Sequence, residues 1–298
     1  MTRVAFASFL DEMGLEQDYI YEDEHLLREP LLMRGVEVQT MPWEHPRVKW
    51  DVFDAVIIRS TWNYHLHWAA FSEWLTALEA KGVRVLNPIP MLRWNIDKTY
   101  LGTLGALGIR TLPTVFVPCG SQANLAELIK QRGWSQAVVK PTISAGGDNT
   151  WRVSSDAAEG QQERFISALQ QHTLMVQQFA EGIKDGEWSF HFFNGLYSHT
   201  VRKVPVSGEM FVHTHRGGSV HAVQPTSRQI GEASNIVYAV QQTLGILPLY
   251  ARVDMVMHEG HLALMELELV EPYLHMRFAD GTQAQDRFAD AIALQVKR

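Results

Sequence analysis

The sequence predicts an α/β fold that becomes α+β in its C-terminal part. Three observations predict it. Apolar runs alternate with helical segments over the first ninety residues, an Asn194-Gly195 pair sits between two apolar runs, and a further apolar hairpin spans residues 249–269. Strands separated by helices imply a largely parallel sheet covered on both faces. Asn-Gly between strand-like runs is the strongest short-range sign of an antiparallel hairpin.

In order along the chain, residues 4–9 read as a buried strand, 23–34 as a helix, 36–41 and 53–59 as strands, 68–81 as an amphipathic helix and 83–86 as a fourth strand. Gly35 and Gly82 stand where helices end. Ligands of such sheets meet the carboxyl ends of the strands, which points to the loops after Phe9 and Arg59. From Ile96 the rhythm changes: a short helix over 96–107, a strand over 114–117, and a helix N-capped by Ser121 that runs to 132. Strands over 137–141, 150–153 and 174–179 follow, with a helix over 159–171 between the last two. Strands over 188–193 and 196–204 form the Asn-Gly hairpin; a glycine-containing loop, a helix over 227–244, the further hairpin and a terminal helix from about 282 complete the chain. Units at 1–92, 93–178 and 179–298 result.

With 298 residues, 46% apolar and 20% charged, the composition is that of an ordinary globular protein, which excludes disordered, collagen-like and coiled-coil classes. The 26 basic and 33 acidic residues leave a charge of −7, which argues against nucleic-acid and membrane-surface partners. No run approaches the ~20 apolar residues that span a bilayer. The single Cys119 can form no internal disulfide, and a reducing, cytoplasmic setting is expected.

The most informative stretch is the hairpin over 249–269. A three-residue loop (His258, Glu259, Gly260) would set Arg252 opposite Glu266 and Asp254 opposite Leu264. Period-two alternation then gathers Arg252, Asp254, Glu266 and Glu268 on one face and leaves Ala251, Val253, Met255, Met257, Ala263, Met265, Leu267 and Leu269 on the other. Clustered carboxylates repel, so the polar face either is solvated around one Arg salt bridge or holds a hard divalent cation such as Mg²⁺.

Lys140 ends the apolar run Val138-Val139 and precedes Gly146-Gly147, which suits either a phosphate cradle or a plain turn. Lys98 opens a helix; Gln177-Gln178-Phe179 ends an apolar strand and presents either an adenine-reading edge or a satisfied strand end. Glu187 falls across the Asn-Gly hairpin from Arg202, as an ion pair or as a ribose contact beside a phosphate-binding cation. The run Ser60-Thr61-Trp62-Asn63-Tyr64 ends a strand and offers a substrate surface or interdomain packing. The loop containing His213, His215, Arg216 and Gly217 is a substrate lid or an exposed polar loop; a zinc site of His213, His215 and His221 has no supporting ligand nearby.

Taken together and in this order, these features resemble the ATP-grasp superfamily, of the glutathione synthetase and D-alanine–D-alanine ligase type. Arg252-Val253-Asp254 with Glu266-Leu267-Glu268 resembles its R-x-D … E-x-N metal hairpin, and Val139-Lys140-Pro141 with Gly146-Gly147 resembles its lysine strand and glycine loop. Ile183-Lys184-Asp185-Gly186-Glu187 and Arg202-Lys203-Val204-Pro205 resemble the segments at the ribose and the phosphates. Glu268 departs from the family's usual Asn, and the runs Glu266 to Pro272 and Arg59 to Tyr64 resemble the subgroup of the D-cycloserine-forming ligase.

The resemblance implies an ATP-grasp fold behind a Rossmann-like N-terminal domain. It implies an ADP-forming carboxylate–amine ligase working through an acylphosphate on a small amino-acid-like or peptide substrate. An intramolecular cyclo-ligase and a non-catalytic nucleotide-binding module are the alternatives. Lys98, Lys140, Gly146, Gly147, Arg202 and Lys203 would meet ATP phosphates, Gln177, Gln178 and Phe179 the adenine, and Glu187 the ribose. Asp254, Glu266 and Glu268 would hold two Mg²⁺ ions, with Mn²⁺ as a substitute, and Arg252 would stabilise the tetrahedral intermediate. Ser60, Thr61, Trp62, Asn63, His215, Arg216 and Gly217 would serve the carboxylate and amine substrates. Related ligases are often dimers or tetramers, so the resemblance leaves the oligomeric state open, with a homodimer one of the alternatives.

Overall fold

A computed structural model describes residues 1–9, 22–212, 214–279 and 281–297, without the side chain of His215; His213 and most of the loop after Phe9 lie outside the described residues. Three sheets are present among them. The first holds β1 (Thr2–Ser8), β2 (Val36–Pro42), β3 (Ala55–Ile58) and β4 (Val85–Leu86) in the order β2-β1-β3-β4, all parallel. β3 is buried at every position, as a strand covered on both faces must be. Helix α1 (Glu22–Met33) covers one face with Leu27 and Leu31; α2 (Trp68–Ala80) and α3 (Ile89–Ile96) cover the other with Phe71, Leu75 and Leu92.

The expected helix over 96–107 is two pieces, α3 and α4 (Tyr100–Ala106). Asp97 is extended, its carboxylate accepts from the Thr99 amide at 3.0 Å, and the Lys98 amide donates to the Thr142 carbonyl at 2.9 Å. The break turns Lys98 off the helix surface.

The central sheet takes β5 (Thr114–Val117), β6 (Gln136–Pro141), β7 (Trp151–Ser154) and β8 (Leu174–Gln178) in the antiparallel order β5-β8-β6-β7. Helices α5 (Leu125–Gln131) and α6 (Gln162–Leu169) bury Ile129 and Phe165 against Ala137, Val139 and Val176. Alternation along β6 therefore sends Val138 and Lys140 to the opposite face. Asn124 caps α5, its side chain accepting from Glu127 at 2.9 Å, rather than Ser121, which bonds the Pro118 carbonyl.

The third sheet is antiparallel, β11-β10-β9-β12-β13, from β9 (Glu187–Phe193), β10 (Leu196–Val204), β11 (Ser219–Ala222), β12 (Tyr250–His258) and β13 (His261–Glu268). Helix α7 (Ser227–Leu244) starts at a Thr226/Gln229 capping box, ends at left-handed Gly245, and packs Ala233, Ile236 and Val240 over Phe190, Phe192 and Val253. The terminal helix α8 (Ala284–Val296) leaves this sheet's flank to pack against α1 on the first one, where Phe288 and Ile292 join Leu27 and Leu31 and Arg34 meets Asp286 at 3.0 Å.

Two hairpin registers differ from the expected ones, the first through one extra residue and the second through a shorter turn and one extra residue. In β9–β10, Ser198 is a bulge, so Glu187 pairs with Lys203 and Arg202 with Trp188. In β12–β13 the turn has two residues, Glu259 and Gly260, both with positive φ (50° and 77°), and Met265 is the bulge. Beyond the bulge Arg252 faces Glu268 and Asp254 faces Glu266, so the four charged residues do share one face. Nearer the turn the faces exchange: Leu262 and Leu264 join the core side, while Ala263 and Met265 move to the charged side.

Candidate active site

The free faces of the central and third sheets enclose a cavity of about 460 Å³. Lys98, Lys140, Lys203 and Arg252 line it, with Glu187, Asp254, Glu266, Glu268 and Glu271. Lys98 is 5% exposed; its ammonium donates to the Ser144 carbonyl at 2.6 Å and lies 3.3 Å from Glu266. The Lys140 ammonium has no hydrogen bond or ion pair among the described residues; burial pulls it below the ordinary lysine value, with Glu266 opposing. Lys203 is ion-paired with Glu187 and stands 3.5 Å from Asp254. The expected cross-strand partner Arg202 instead lies over the Trp188 ring at 5.8 Å and does not line the cavity, because the Ser198 bulge turns it to the other face.

Arg252 occupies the centre. Its Nε lies 3.0 Å from each Asp254 oxygen, its Nη2 bonds Glu268, and its Nη1 donates to the Tyr273 carbonyl at 3.2 Å. Ser189 Oγ donates to Asp254 at 2.6 Å. Burial alone would raise the Asp254 carboxyl, but Arg252 and Lys203 more than offset it and hold it well below the usual range. Glu266 is likewise held low against burial by Lys98 and Lys140. Burial wins at Glu187 and Glu268, pushed up to about 7 despite Lys203 and Arg252 respectively. Burial also drives Glu271 up, and Glu268 adds to it.

The three carboxylates expected to share divalent ions each hold a cation of the chain instead. Among the described residues no three Asp, Glu, His or Cys side chains form a metal cage, since Arg252 stands between Asp254 and Glu268 and Lys98 holds Glu266. The donor set nonetheless fits Mg²⁺: all donors are oxygens, acids outnumber cations in the cavity, and Mg²⁺ characteristically takes one or two carboxylates plus phosphate oxygens and water. Asp254, already met by Arg252, Lys203 and Ser189, has the least capacity left.

Beside the charges lies an apolar slot of Leu112, Val138, Phe179, Ile183, Met210 and Met265. Gln177, Gln178 and Phe179 all line it. The Gln177 amide donates to Thr114 at 3.1 Å, while the backbone amides of Gln178 and Phe179 are spent on the Pro113 and Gln136 carbonyls. The backbone amide of Ala180, which the sequence did not single out, has no partner among the described residues and also borders the slot. Gly146 and Gly147 line the mouth in left-handed conformation, and a Cβ on Gly147 would meet the Phe211 ring at 2.7 Å. The second loop contributes Met210, Phe211 and Val212. Arg216 stacks on Phe211 at 4.0 Å and reaches the Gly146 carbonyl at 3.5 Å, so it ties the two loops together from outside. Gly217 packs against Val206 and does not line the cavity, and the His215 side chain lies outside the described residues.

The segment after β3 supplies the remaining wall, through only part of the run expected there. Ser60 and Thr61 are buried at 3% and 0%, Ser60 donating to Glu24 at 2.7 Å; Asn63 bonds Glu44 and Trp43. None of the three lines the cavity, because the chain ending β3 turns at once and only Trp62, Tyr64 and His65 face it. Trp62 donates to the Glu271 carbonyl at 3.0 Å.

Comparison with known proteins agrees with this geometry. Residues 4–87 match the family model described as D-cycloserine synthetase DcsG, N-terminal domain, and residues 109–260 match that described as prokaryotic glutathione synthetase, ATP-grasp domain. The cycloserine biosynthesis protein DcsG of Streptomyces lavendulae is 31% identical over 303 residues, covering 96% of this chain and 97% of that one. A glutathione synthetase of Ralstonia nicotianae is 25% identical over 172 residues, covering 57% of this chain and 51% of that one. The crystal structure of D-cycloserine synthetase DcsG superposes with a TM-score of 0.87 at 26% identity over 99% of both chains. A D-alanine–D-alanine ligase from Bacillus anthracis, complexed with ATP, shares the fold with a TM-score of 0.72 at 16% identity, covering 100% of this chain and 99% of that one. No helix among the described residues is long and apolar enough to cross a membrane. By the shared family models and the full-length similarity, the chain belongs to the ATP-grasp family and is an ADP-forming carbon–nitrogen ligase of glutathione synthetase-like type.

Proposed function

We propose that the protein activates the carboxylate of a small amino-acid-like molecule with ATP and joins it to a nitrogen of the same molecule, closing a ring. The observation that carries this is the full-length likeness to DcsG, named a D-cycloserine synthetase, which includes the N-terminal domain as well as the nucleotide-binding part. Ligation to a separate amine, as in glutathione synthetases, is the second reading; the ATP-grasp match over 109–260 supports both equally.

In this scheme a carboxylate oxygen bonds to the γ-phosphorus and ADP leaves. The nitrogen then attacks the acyl carbon, phosphate departs with that oxygen, and the nitrogen's proton passes to phosphate or water. Lys98, Lys140 and Lys203 neutralise phosphate charge, and positioning with electrostatics supplies most of the acceleration. The apolar slot takes the adenine, whose edge meets Gln177 and the amide of Ala180. Arg252 offsets the oxyanion that develops at the acyl carbon. Magnesium, held by Glu266 and Glu268 with Asp254 behind them, would supply further charge stabilisation to the phosphates. The glycine loop and the Met210–Val212 segment keep water from the acylphosphate.

Hydroxylamine trapping with Mg-ATP and amino-acid-like carboxylates tests activation, and product mass tests ring closure. A cyclised product has the mass of its precursor less water or less a leaving fragment of that precursor; a product carrying a second molecule selects the glutathione synthetase-like reading. Absence of both hydroxamate and ADP would refute the scheme.

A further inference from the structure

Resting on the ligase reading above, we infer that Glu271 is a specificity residue that reads a substrate ammonium group. Four of the five carboxylates in the cavity are matched by cations of the chain: Glu187 by Lys203, Asp254 by Arg252, Glu266 by Lys98 and Glu268 by Arg252. Glu271 is not. It is 8% exposed, it lines the cavity, and its carboxylate has neither hydrogen bond nor ion pair among the described residues. A buried carboxylate without a cation is costly, and a folded protein keeps one where a ligand completes it.

The backbone on both sides is fixed by buried groups. Tyr250 donates to the Val270 carbonyl at 2.8 Å, Arg59 to that of Pro272 at 3.2 Å and Arg252 to that of Tyr273 at 3.2 Å. Asp23 accepts from the Leu274 amide at 2.6 Å, and Trp62 donates to the carbonyl of Glu271 itself. The side chain is thus the unsatisfied member of a rigid segment, which is how a recognition group is preorganised. Its neighbours on the cavity wall are Trp62, Tyr64 and Tyr273, with the Trp62 and Tyr273 rings edge to face at 6.3 Å. Aromatic faces favour a cation and give nothing to an anion. No lysine or arginine pairs with it among the described residues, Lys98 and Arg252 acting on it only from beyond ion-pair distance, so a primary ammonium on the substrate completes it. Carboxylate activation then occurs at the lysine and arginine side of the cavity, with the ammonium anchored at the Glu271 end.

The test measures, by calorimetry on enzyme loaded with Mg-ADP, the binding of D-cycloserine (whose ring carries a primary amine) and of its N-acetyl derivative. Wild type should bind the free amine about 30-fold more tightly, and Glu271→Gln should lose about tenfold or more for D-cycloserine while N-acetyl binding and ADP binding stay within about twofold. Equal binding of the two compounds by wild type, or an unchanged contrast in Glu271→Gln, overturns the inference. A Glu271→Gln defect that disappears on raising Mg²⁺ assigns the residue to metal and overturns it as well. Should D-cycloserine bind to neither protein while ADP still binds, ring closure fails separately. The contrast is then read on ADP release with D- and L-amino acids and their N-acetyl forms. Turnover confined to free amines upholds the ammonium site; turnover of acetylated forms, or of none, overturns it.

Discussion

Lys203 faces Glu187 across β9 and β10 and pairs with it, 3% and 9% exposed respectively for Glu187 and Lys203. The pairing depends on the Ser198 bulge, since without it Arg202 would take that place. Removing one partner strands the other's charge on a largely buried wall of the cavity. Lys203→Met should therefore destabilise the protein by roughly 3 kcal/mol, and Glu187→Gln with Lys203→Met should recover most of that loss. Denaturant unfolding of the three proteins checks this. A double variant no more stable than Lys203→Met would show that the pair carries no such penalty.

Glu266 is the carboxylate shared between Lys98 at 3.3 Å and the pull of Lys140. Glu266→Gln keeps the shape and removes the charge. It should cut the rate of ADP release by about 10²-fold to 10³-fold while the folded state, read by circular dichroism and melting, persists. Near-normal ADP release from a folded variant would remove Glu266 from the phosphate-handling set.

Much of the fold was legible because patterns with a mechanism were present. Asn194-Gly195 marked a hairpin, Gly245 ended α7, and the Arg252 to Glu268 charges did converge on one face. The bulges were not legible. Ser198 and Met265 are chemically unremarkable, and an unpaired residue shows itself only when both strands are laid side by side. The first exchanged Arg202 for Lys203. The second follows a turn one residue shorter than expected, which brought Met265 to the cavity side, and it returns Glu266 and Glu268 to the face of Arg252 and Asp254. Within the run 60–64, which residues face the cavity (Trp62 and Tyr64, with His65 beyond) was hidden for a different reason. Ser60 and Asn63 are polar, as ligand-binding residues are, but they spend that polarity on Glu24 and on Trp43 and Glu44.

Met265 owes its place in the apolar slot to the two-residue turn, which sets it and Ala263 on the cavity side, away from the core that holds Leu264 and Leu267. Met265→Ala should accordingly weaken ATP-analogue binding about tenfold and cost stability no more than about 1.5 kcal/mol, less than a fully buried methionine would. Equilibrium binding beside a denaturant titration separates the two effects. A large loss of stability with unchanged nucleotide affinity would place Met265 in the core instead.

The remaining prediction concerns pH and lies away from the cavity. Asp23 is buried in the first turn of α1 and accepts from the amides of Leu274 and Met276 at 2.6 and 3.1 Å. Burial pushes its carboxyl from the usual 3.8 up to about 7, with Arg59 at 3.7 Å opposing. Because the folded value exceeds the unfolded one, the folded state holds a proton that the unfolded chain has released between these limits. The group's contribution is therefore full below pH about 4 and is lost as pH rises through about 7, a change of a few kcal/mol. Glu187 and Glu268 are raised in the same direction, whereas the buried His191, His199 and His275 are lowered by burial and add stability as pH rises toward the ordinary histidine value. The Asp23 share is therefore read from the difference between wild type and variant rather than from the wild-type slope. Asp23→Asn has no proton to lose. Its unfolding free energy, lower than wild type at pH 5 because one amide acceptor is gone, should decline less steeply, so the two curves converge toward pH 8. Parallel curves across that range would show that Asp23 stays ionised in the fold, held so by Arg59.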